Sequence, residues 1–175
     1  MIRFLLLALA MGALIFAVGT RGGFAARPKP LPLGARADLV VIEKDAHKLT
    51  LYAHGRVLRS YFVALGSGGV EAKMRAGDGR TPEGHYLIDA HKADSTFYRA
   101  LHISYPSAID RKVARARGVT PGGGITIHGL PSFTGWIGGW HRLIDWTDGS
   151  VAVTDGEVDE IWRVVPNGTP VEIRR

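Results

Sequence analysis

A histidine and a serine, each beside a glycine, are the residues of this sequence that best fit acyl-transfer chemistry. His128 ends the apolar run 125–127, and Ser150 follows Gly149 directly ahead of a second apolar run. A histidine at the end of a buried strand can serve as a general base, and a Gly-Ser step can present a hydroxyl and a backbone N–H to one carbonyl. Serine and glycine are also common in turns, so an ordinary loop is an equally good interpretation of the pair alone.

Other polar clusters in the sequence are weaker candidates for a site. The glycine-rich loop 66–69 leads into neither a G-x-G-x-x-G nor a Gly-Lys-Ser/Thr sequence, so a flexible loop is favoured over a phosphate site. The histidines and aspartates of segment 128–148 include no H-E-x-x-H and no repeated short histidine spacing, so no metal ligand is assigned. The basic stretch 107–117 predicts a solvated face or contact with an anionic polymer, and nucleic acid is disfavoured.

Composition narrows the chemistry further. The chain has 175 residues, a formal net charge of +6 and 46% hydrophobic residues, which suits one folded domain with an apolar core. It contains no cysteine. Disulfide scaffolds, thiolate metal sites, iron–sulfur clusters and a cysteine nucleophile are therefore excluded for this chain.

The amino-terminal segment predicts an exported protein. Arg3 precedes an apolar run over 4–18, which is shorter than a membrane span of about 20 residues and typical of a secretory signal. Segment 1–26 is therefore interpreted as a signal peptide, with an uncleaved N-terminal anchor as the alternative. Alternating prolines predict an extended linker over 27–37, and 38–175 is the expected domain. Both alternatives imply the periplasm or cell envelope, with membrane contact only through an uncleaved segment 1–26.

Short apolar runs bounded by turn residues predict a mostly β domain that positions the His-Ser pair. Strands are expected at 39–42, 49–51, 57–65, 86–88, 101–103, 125–127 and 170–173. A basic amphipathic helix is expected over 107–117, whereas His91 is expected in a loop. Thr154 and Glu157 have the spacing of a capping box, and the apolar positions behind them predict a second helix.

Six ordered segments resemble a known catalytic domain. They are 48–52 (KLTLY), 80–86 (RTPEGHY), 101–106 (LHISYP), 123–129 (GGITIHG), 145–149 (DWTDG) and 168–171 (GTPV). In order and spacing they resemble the L,D-transpeptidase (YkuD-like) catalytic domain over about residues 38–173. The resemblance implies a mostly β fold, a β-sandwich with one or two short helices.

The same resemblance implies an activity on peptidoglycan. Members of this family attack the carbonyl of the third residue of a stem peptide, release the terminal D-alanine and pass the acyl group to an amine. The acceptor is another stem or a lysine of a lipoprotein, and some relatives use water instead. Cell-wall organization and cell shape are the implied processes, and neither a metal nor an organic cofactor is expected.

By position, the resemblance makes His128 the general base and Gly149 the backbone glycine of the oxyanion region. The nucleophile position falls on Ser150, where the family has cysteine. Asp148 and Ala152 also stand where the broader family pattern has histidine and arginine. A hydroxyl is far less acidic than a thiol of pKa about 8.5, so Ser150 needs a base during attack and a well-stabilised oxyanion.

Three interpretations of Ser150 remain open at this point: a substituted cysteine, a natural serine enzyme, or a silent wall-binding domain. A peptidoglycan hydrolase, either a carboxypeptidase or an amidase, is the alternative enzyme class. The residues expected to bind substrate are Arg80, Trp140, Arg142 and Trp146. The glycine-rich segment 135–146 carries Trp136, Trp140 and Trp146. It is interpreted equally well as a lid over the substrate or as packing at the base of a loop.

Overall fold

The computed structural model describes residues 29–132 and 134–175. The predicted signal peptide or anchor over 1–26 and the start of the linker lie outside the described residues. The eight strands are β1 (Leu39–Glu43), β2 (Lys48–Ala53), β3 (Arg56–Phe62), β4 (Gly84–Ser95), β5 (Tyr98–Ile103), β6 (Thr126–His128), β7 (Val151–Ala152) and β8 (Pro170–Arg174). The helices are α1 (Ala108–Ala116), a 3-10 helix (Gly135–Leu143) and α2 (Asp155–Val164).

The strands form one sheet in the order β3-β2-β1-β8-β4-β5-β6-β7. Only β1 with β8 and β6 with β7 are parallel, and the other neighbours are antiparallel. Ala64, just past β3, also pairs with Ala152 of β7, so the two ends of the strand order meet. The predicted mostly β fold is confirmed, and β7 lies where the two ends meet.

Alternation along the strands builds the core. In β1 and β2, Val40, Ile42, Leu49 and Leu51 are completely buried, as the period-two pattern of a strand with one covered face requires. Helix α2 covers part of this core with Val158 and Ile161, also fully buried. Helix α2 packs against β5 and β6, so it covers the strand that ends at His128.

The predicted helix signals agree with the structure. The Thr154 N–H donates to the Glu157 carboxylate at 2.9 Å, one of the two reciprocal bonds of a capping box. Helix α1 begins after Ser107, whose own capping box with Asp110 satisfies exposed N–H groups of the first turn.

Strand β4 is the main difference from the sequence-based expectation. It runs over Gly84–Ser95 rather than 86–88, so the placement of His91 in a loop was wrong. The second half of β4 is polar and largely exposed, which hides it from a search for apolar alternation. Pairing with β5 from Ile88 to Ser95 holds this half in place.

The chain ahead of β1 contacts α2. Leu31 is buried, and its N–H donates to Glu160 at 2.9 Å. Arg163 donates to the carbonyls of Leu31 and Pro32, and the Ala37 N–H donates to the Val164 carbonyl at 2.7 Å. The compact unit that holds the sheet accordingly begins at Leu31. Within the described residues, none of the helices has the length and apolar character to cross a membrane.

Candidate active site

Parallel pairing of β6 with β7 brings the histidine and the serine together. Ile127 lies opposite Val151 and His128 opposite Ala152, so Ser150 comes beside Thr126. The Thr126 N–H donates to Ser150 Oγ at 3.1 Å. Residues two apart on a strand point to the same face, so Thr126 and His128 share one face of β6. The serine beside Thr126 and the imidazole therefore lie on the same side of the sheet.

The surroundings of His128 make it a neutral base. Its side chain is buried, and Nδ1 lies 2.7 Å from the Gly129 carbonyl oxygen. Because a carbonyl oxygen only accepts, Nδ1 carries the hydrogen and Nε2 keeps the basic lone pair. The Phe97 and Trp146 rings lie 4.5 and 5.7 Å from the imidazole, and burial lowers the pKa of His128 below its ordinary value of 6.5.

The oxygen of Ser150 is the acceptor of two hydrogen bonds. Besides the Thr126 N–H, the Thr126 hydroxyl donates to it at 3.3 Å. In the described structure Ser150 Oγ makes no hydrogen bond to His128, and catalytic bonds of this kind often tighten only when substrate binds. Two donors on one atom favour negative charge there, and they leave the proton of the hydroxyl free to be removed.

Thr147 closes the turn that carries Ser150. Its hydroxyl donates to the Ser150 carbonyl at 2.7 Å and accepts from the Gly149 N–H at 3.2 Å. Gly149 adopts φ 115°, and a Cβ at this position would lie 2.5 Å from the Arg80 carbonyl oxygen. Only glycine fits, and its N–H, expected in the oxyanion region, is bonded within the turn.

The loop 66–81 supports this turn from behind. The Ser67 N–H donates to the Thr147 carbonyl at 2.9 Å, and the Gly66 N–H donates to Thr81 Oγ1 at 3.0 Å. Completely buried Lys44 holds the far end of the loop, since its ammonium donates to the Glu71 and Thr81 carbonyls, each at 2.9 Å. It also pairs with Glu83 at 3.0 Å. The backbone around Ser150 is therefore fixed on several sides.

The two aspartates of segment 128–148 that were considered as metal ligands differ in their surroundings. Asp145 accepts from the Leu65 N–H at 2.7 Å and lies 2.9 Å from His47 Nε2, whereas Asp148 is exposed. Within residues 29–132 and 134–175, no three histidine, aspartate or glutamate side chains are grouped in a way that would hold a metal ion.

The four residues expected to bind substrate are differently placed. The Arg80 carbonyl backs the Gly149 turn, and its Nε donates to the Gly68 carbonyl at 3.1 Å. Trp146 packs on His128, while Trp140 is 75% exposed. Arg142 is paired with Glu157 of α2. Of these four residues, Trp146 is therefore the one whose ring packs against His128.

Sequence reasoning missed Thr126, Thr147 and Phe97 as parts of the site. The period of two along a strand was available as a signal for Thr126, since it stands two residues before His128. No pattern in the sequence marks Phe97, which reaches His128 from the β4–β5 turn.

Comparison with known proteins gives one family for this architecture. The model of the L,D-transpeptidase catalytic domain, YkuD, matches residues 37–173. YafK of Escherichia coli (strain K12), named as a candidate L,D-transpeptidase, is 37% identical over 78 residues, which are 41% of this chain. The match spans 32% of the length of that relative.

Solved structures share the fold. The helical cell shape determining protein Pgp2 from Campylobacter jejuni is similar with a TM-score of 0.60 and 24% identity, over 81% of this chain and 48% of that chain. An L,D-transpeptidase (residues 123–326) from Xylanimonas cellulosilytica is similar with a TM-score of 0.52 and 23% identity, over 83% of this chain and 64% of that chain.

Proposed function

Because this chain belongs to the L,D-transpeptidase catalytic domain family, we propose that it transfers an acyl group from a peptidoglycan stem peptide to an amine, with His128 as base and Ser150 as nucleophile. The observation that carries the proposal is the fixed tautomer of His128. Its Nδ1–H is held by the Gly129 carbonyl, and the imidazole shares one face of the sheet with the Ser150 hydroxyl.

The reaction follows from these positions. His128 Nε2 takes the hydroxyl proton as Ser150 Oγ attacks the carbonyl of the third stem residue. The tetrahedral intermediate collapses to an ester, and the D-alanine amine leaves with the proton from His128. An acceptor amine then attacks the ester, His128 takes one of its protons, and this proton returns to Ser150 Oγ.

The lowered pKa of His128 suits these reaction steps. A neutral imidazole is required at the start of each half-reaction, and burial keeps His128 neutral at pH values where a free histidine is partly charged. The two donors from Thr126 stabilise negative charge on the attacking atom. The same pair would stabilise a thiolate in a variant with cysteine at this position.

Cell location and acceptor belong to the same proposal. The apolar run over 4–18 supports export to the periplasm or cell envelope, and it serves either as a removed signal or as an anchor. The +6 charge of the chain favours an anionic wall polymer as partner. The acceptor is a stem amine or the lysine of a lipoprotein, and product masses distinguish these from water.

The decisive experiment compares nucleophile variants of the full chain. The chain with Ser150, Ser150→Cys, Ser150→Ala and the double variant His128→Gln/Ser150→Cys are incubated with tetrapeptide muropeptides, and the products are read by mass spectrometry. We expect release of D-alanine and dimer formation by the chain with Ser150, about tenfold faster turnover by Ser150→Cys, and no turnover by the other two.

Each other outcome has a meaning. Turnover by Ser150→Cys alone means that the fold and base are those of a transpeptidase that serine has silenced. Loss of D-alanine without dimers identifies a hydrolase. If no variant reacts but the chain sediments with isolated cell walls, the proposed catalysis is wrong and a wall-binding role replaces it.

A further inference from the structure

A second histidine lies on the same face of the sheet as the candidate active site. His102 of β5 is paired with Thr126 of β6, and cross-strand partners project to the same face. The neighbours of His102 along β5, Leu101 and Ile103, are completely buried on the opposite face. His102 is therefore one strand away from the threonine whose N–H and hydroxyl donate to Ser150 Oγ.

The register brings the side chains of His102 and Thr126 close together. The Ile103 N–H donates to the Ile125 carbonyl at 2.9 Å, which makes these two residues a hydrogen-bonded pair. Along an antiparallel ladder such pairs alternate with non-hydrogen-bonded pairs, in which the side chains are closer. His102 and Thr126 form the next pair, so their Cβ atoms are expected about 5 Å apart.

A β-bulge in β4 directs Asp89 at this histidine. The register between β4 and β5 shifts between Ile88 and Ala90, and Asp89 is the extra residue. Its carboxylate oxygen lies 2.6 Å from His102 Nδ1. Bulges are over-represented next to active sites, where they redirect a side chain. Because a carboxylate accepts, Nδ1 carries the hydrogen, and Nε2 of the neutral ring keeps the lone pair.

The Nε2 atom of His102 is available to a ligand. Among the described residues it has no hydrogen-bond partner, and the His102 side chain is 23% exposed. His128 differs, since it is buried and oriented by a neutral carbonyl group. A carboxylate on Nδ1–H stabilises the imidazolium that forms when Nε2 takes a proton. His102 is therefore placed to accept a proton and to pass it to solvent.

The second half-reaction of the proposed function needs a base of this kind. An alkyl amine such as that of lysine has a pKa of about 10.4, so near pH 7 it arrives as an ammonium ion, which has no lone pair for attack. Two strand spacings, about 10 Å, separate the backbones of His102 and Ser150. An amine bound above Thr126 would lie between Nε2 of His102 and an acyl group on Ser150.

We propose that His102, oriented by Asp89, is a second catalytic base that deprotonates the acceptor amine. The proposal rests on the proposed function, which supplies the acyl-enzyme. His102 Nε2 takes one proton from the ammonium group and releases it to solvent. The amine nitrogen then forms a bond to the ester carbonyl carbon. His128 takes a proton from this nitrogen, and that proton passes to Ser150 Oγ as the C–O bond breaks.

The test separates the two half-reactions in the full chain carrying Ser150→Cys. The donor is a tetrapeptide muropeptide whose side-chain amine is acetylated, so that it cannot act as acceptor, and the acyl-enzyme is read by intact mass. Lysine blocked at its α-amino and carboxyl groups is then added as acceptor. We expect His102→Gln to form the acyl-enzyme at the parent rate and to transfer it about 100-fold more slowly.

A second acceptor distinguishes proton removal from a structural effect. The α-amino group of a glycine peptide has a pKa of about 8, so a larger fraction of it is already neutral near pH 7. The defect of His102→Gln should therefore fall to about tenfold or less with this acceptor. A distorted site would slow both acceptors equally.

Two further variants complete the experiment. Asp89→Asn keeps the shape of the side chain but removes the charge that stabilises the imidazolium, so transfer to the lysine amine should slow about tenfold. It also decides the outcome if thermal unfolding shows that His102→Gln is not folded. His54→Gln is the matched control, since His54 is 97% exposed and also lies near an aspartate, Asp38.

Three results would overturn the inference. These are transfer at the parent rate by folded His102→Gln or by Asp89→Asn, equal defects with both acceptors, and a loss of acyl-enzyme formation as large as the loss of transfer. In each of these cases the parent still forms the acyl-enzyme, and the proposed function stands. If the Ser150→Cys parent forms no acyl-enzyme, the proposed function fails together with the role of His102.

Discussion

The 3-10 helix that carries Trp140 and the turn that carries Ser150 follow each other closely in the chain, yet they are built in opposite ways. In the turn, Thr147 and Gly149 are buried, and the Thr147 hydroxyl pairs with backbone on both sides of Gly149. In the 3-10 helix no residue is buried, and His141 keeps two unpartnered ring nitrogens. Several hydrogen bonds hold the turn of the candidate nucleophile, whereas buried ring nitrogens near the 3-10 helix have no partner in the described part of the chain.

This contrast has an energetic basis. A nucleophile misplaced by an ångström loses most of its rate, so hydrogen bonds fixed in advance are favoured there. Buried polar atoms without partners cost stability, so the 3-10 helix is expected to contribute less to the free energy of unfolding. Glycine variants, threonine variants, acid and an arginine variant test how far the two regions differ.

The largest expected effect is on Gly149. Gly149→Ala would place a Cβ 2.5 Å from the Arg80 carbonyl oxygen at φ 115°, and we expect a loss of about 3 kcal/mol or more in the free energy of unfolding and no detectable turnover. Gly138→Ala is the control in the 3-10 helix. Its φ of 54° and ψ of −134° disfavour a side chain, but its Cβ would meet no atom within 4 Å, so the cost is backbone strain alone, about 1–2 kcal/mol. Chemical denaturation measures both, and equal losses would remove the contrast.

A smaller effect is expected from the two threonines. Thr147→Val would leave the Ser150 carbonyl and the Gly149 N–H without their partner, at a cost of about 1–3 kcal/mol. In the Ser150→Cys background it should lower kcat more than it raises KM, because the group that it displaces is the proposed nucleophile. Thr134→Val removes one bond, to the Pro131 carbonyl, and should cost about 1 kcal/mol or less without change in kcat. A kcat that is unchanged by Thr147→Val would contradict the positioning role.

Acid should lower the free energy of unfolding through a histidine in each of the two regions. The folded-state pKa of His128 and that of His141 lie below the ordinary value of 6.5, so the unfolded chain binds protons that the folded chain does not. The contribution of these two histidines to the free energy of unfolding is therefore fully present above about pH 6.5, and it is lost progressively as the pH drops toward 4. Denaturation curves at several pH values measure this slope. In His141→Leu the slope should be shallower, and an identical slope would show that His141 does not contribute.

The smallest expected effect concerns Arg142. Its pair with Glu157 is partly exposed, so Arg142→Ala should cost about 0.2–1 kcal/mol and leave KM for a free tetrapeptide unchanged. A clear rise in KM would mean that the guanidinium leaves Glu157 and binds the carboxylates of the stem, as the sequence alone suggests. Exposed Arg115→Ala on α1 serves as the surface control.

Local pattern predicted much of the fold and part of the site. Short-range rules of alternation and capping predicted the first strands, the capping box at Thr154 and the strand that ends at His128. The polar half of β4 was missed because cross-strand pairing, and not its own pattern, holds it. The support of Ser150 by Thr147 and the unpartnered ring of His141 depend on chain paths that only the folded structure defines.

The burial of Lys44 has a consequence for selectivity among amines. Under the proposed acyl transfer to amines, the lysines of the chain itself are competing acceptors. The Lys44 ammonium is enclosed by three oxygen acceptors with no exposed surface, and Lys73, in the supporting loop, is 4% exposed and bound to Asp78. Neither can meet the acyl intermediate as a free amine. If the proposed acyl transfer holds, the contacts that steady the loop therefore also prevent self-acylation at these two lysines.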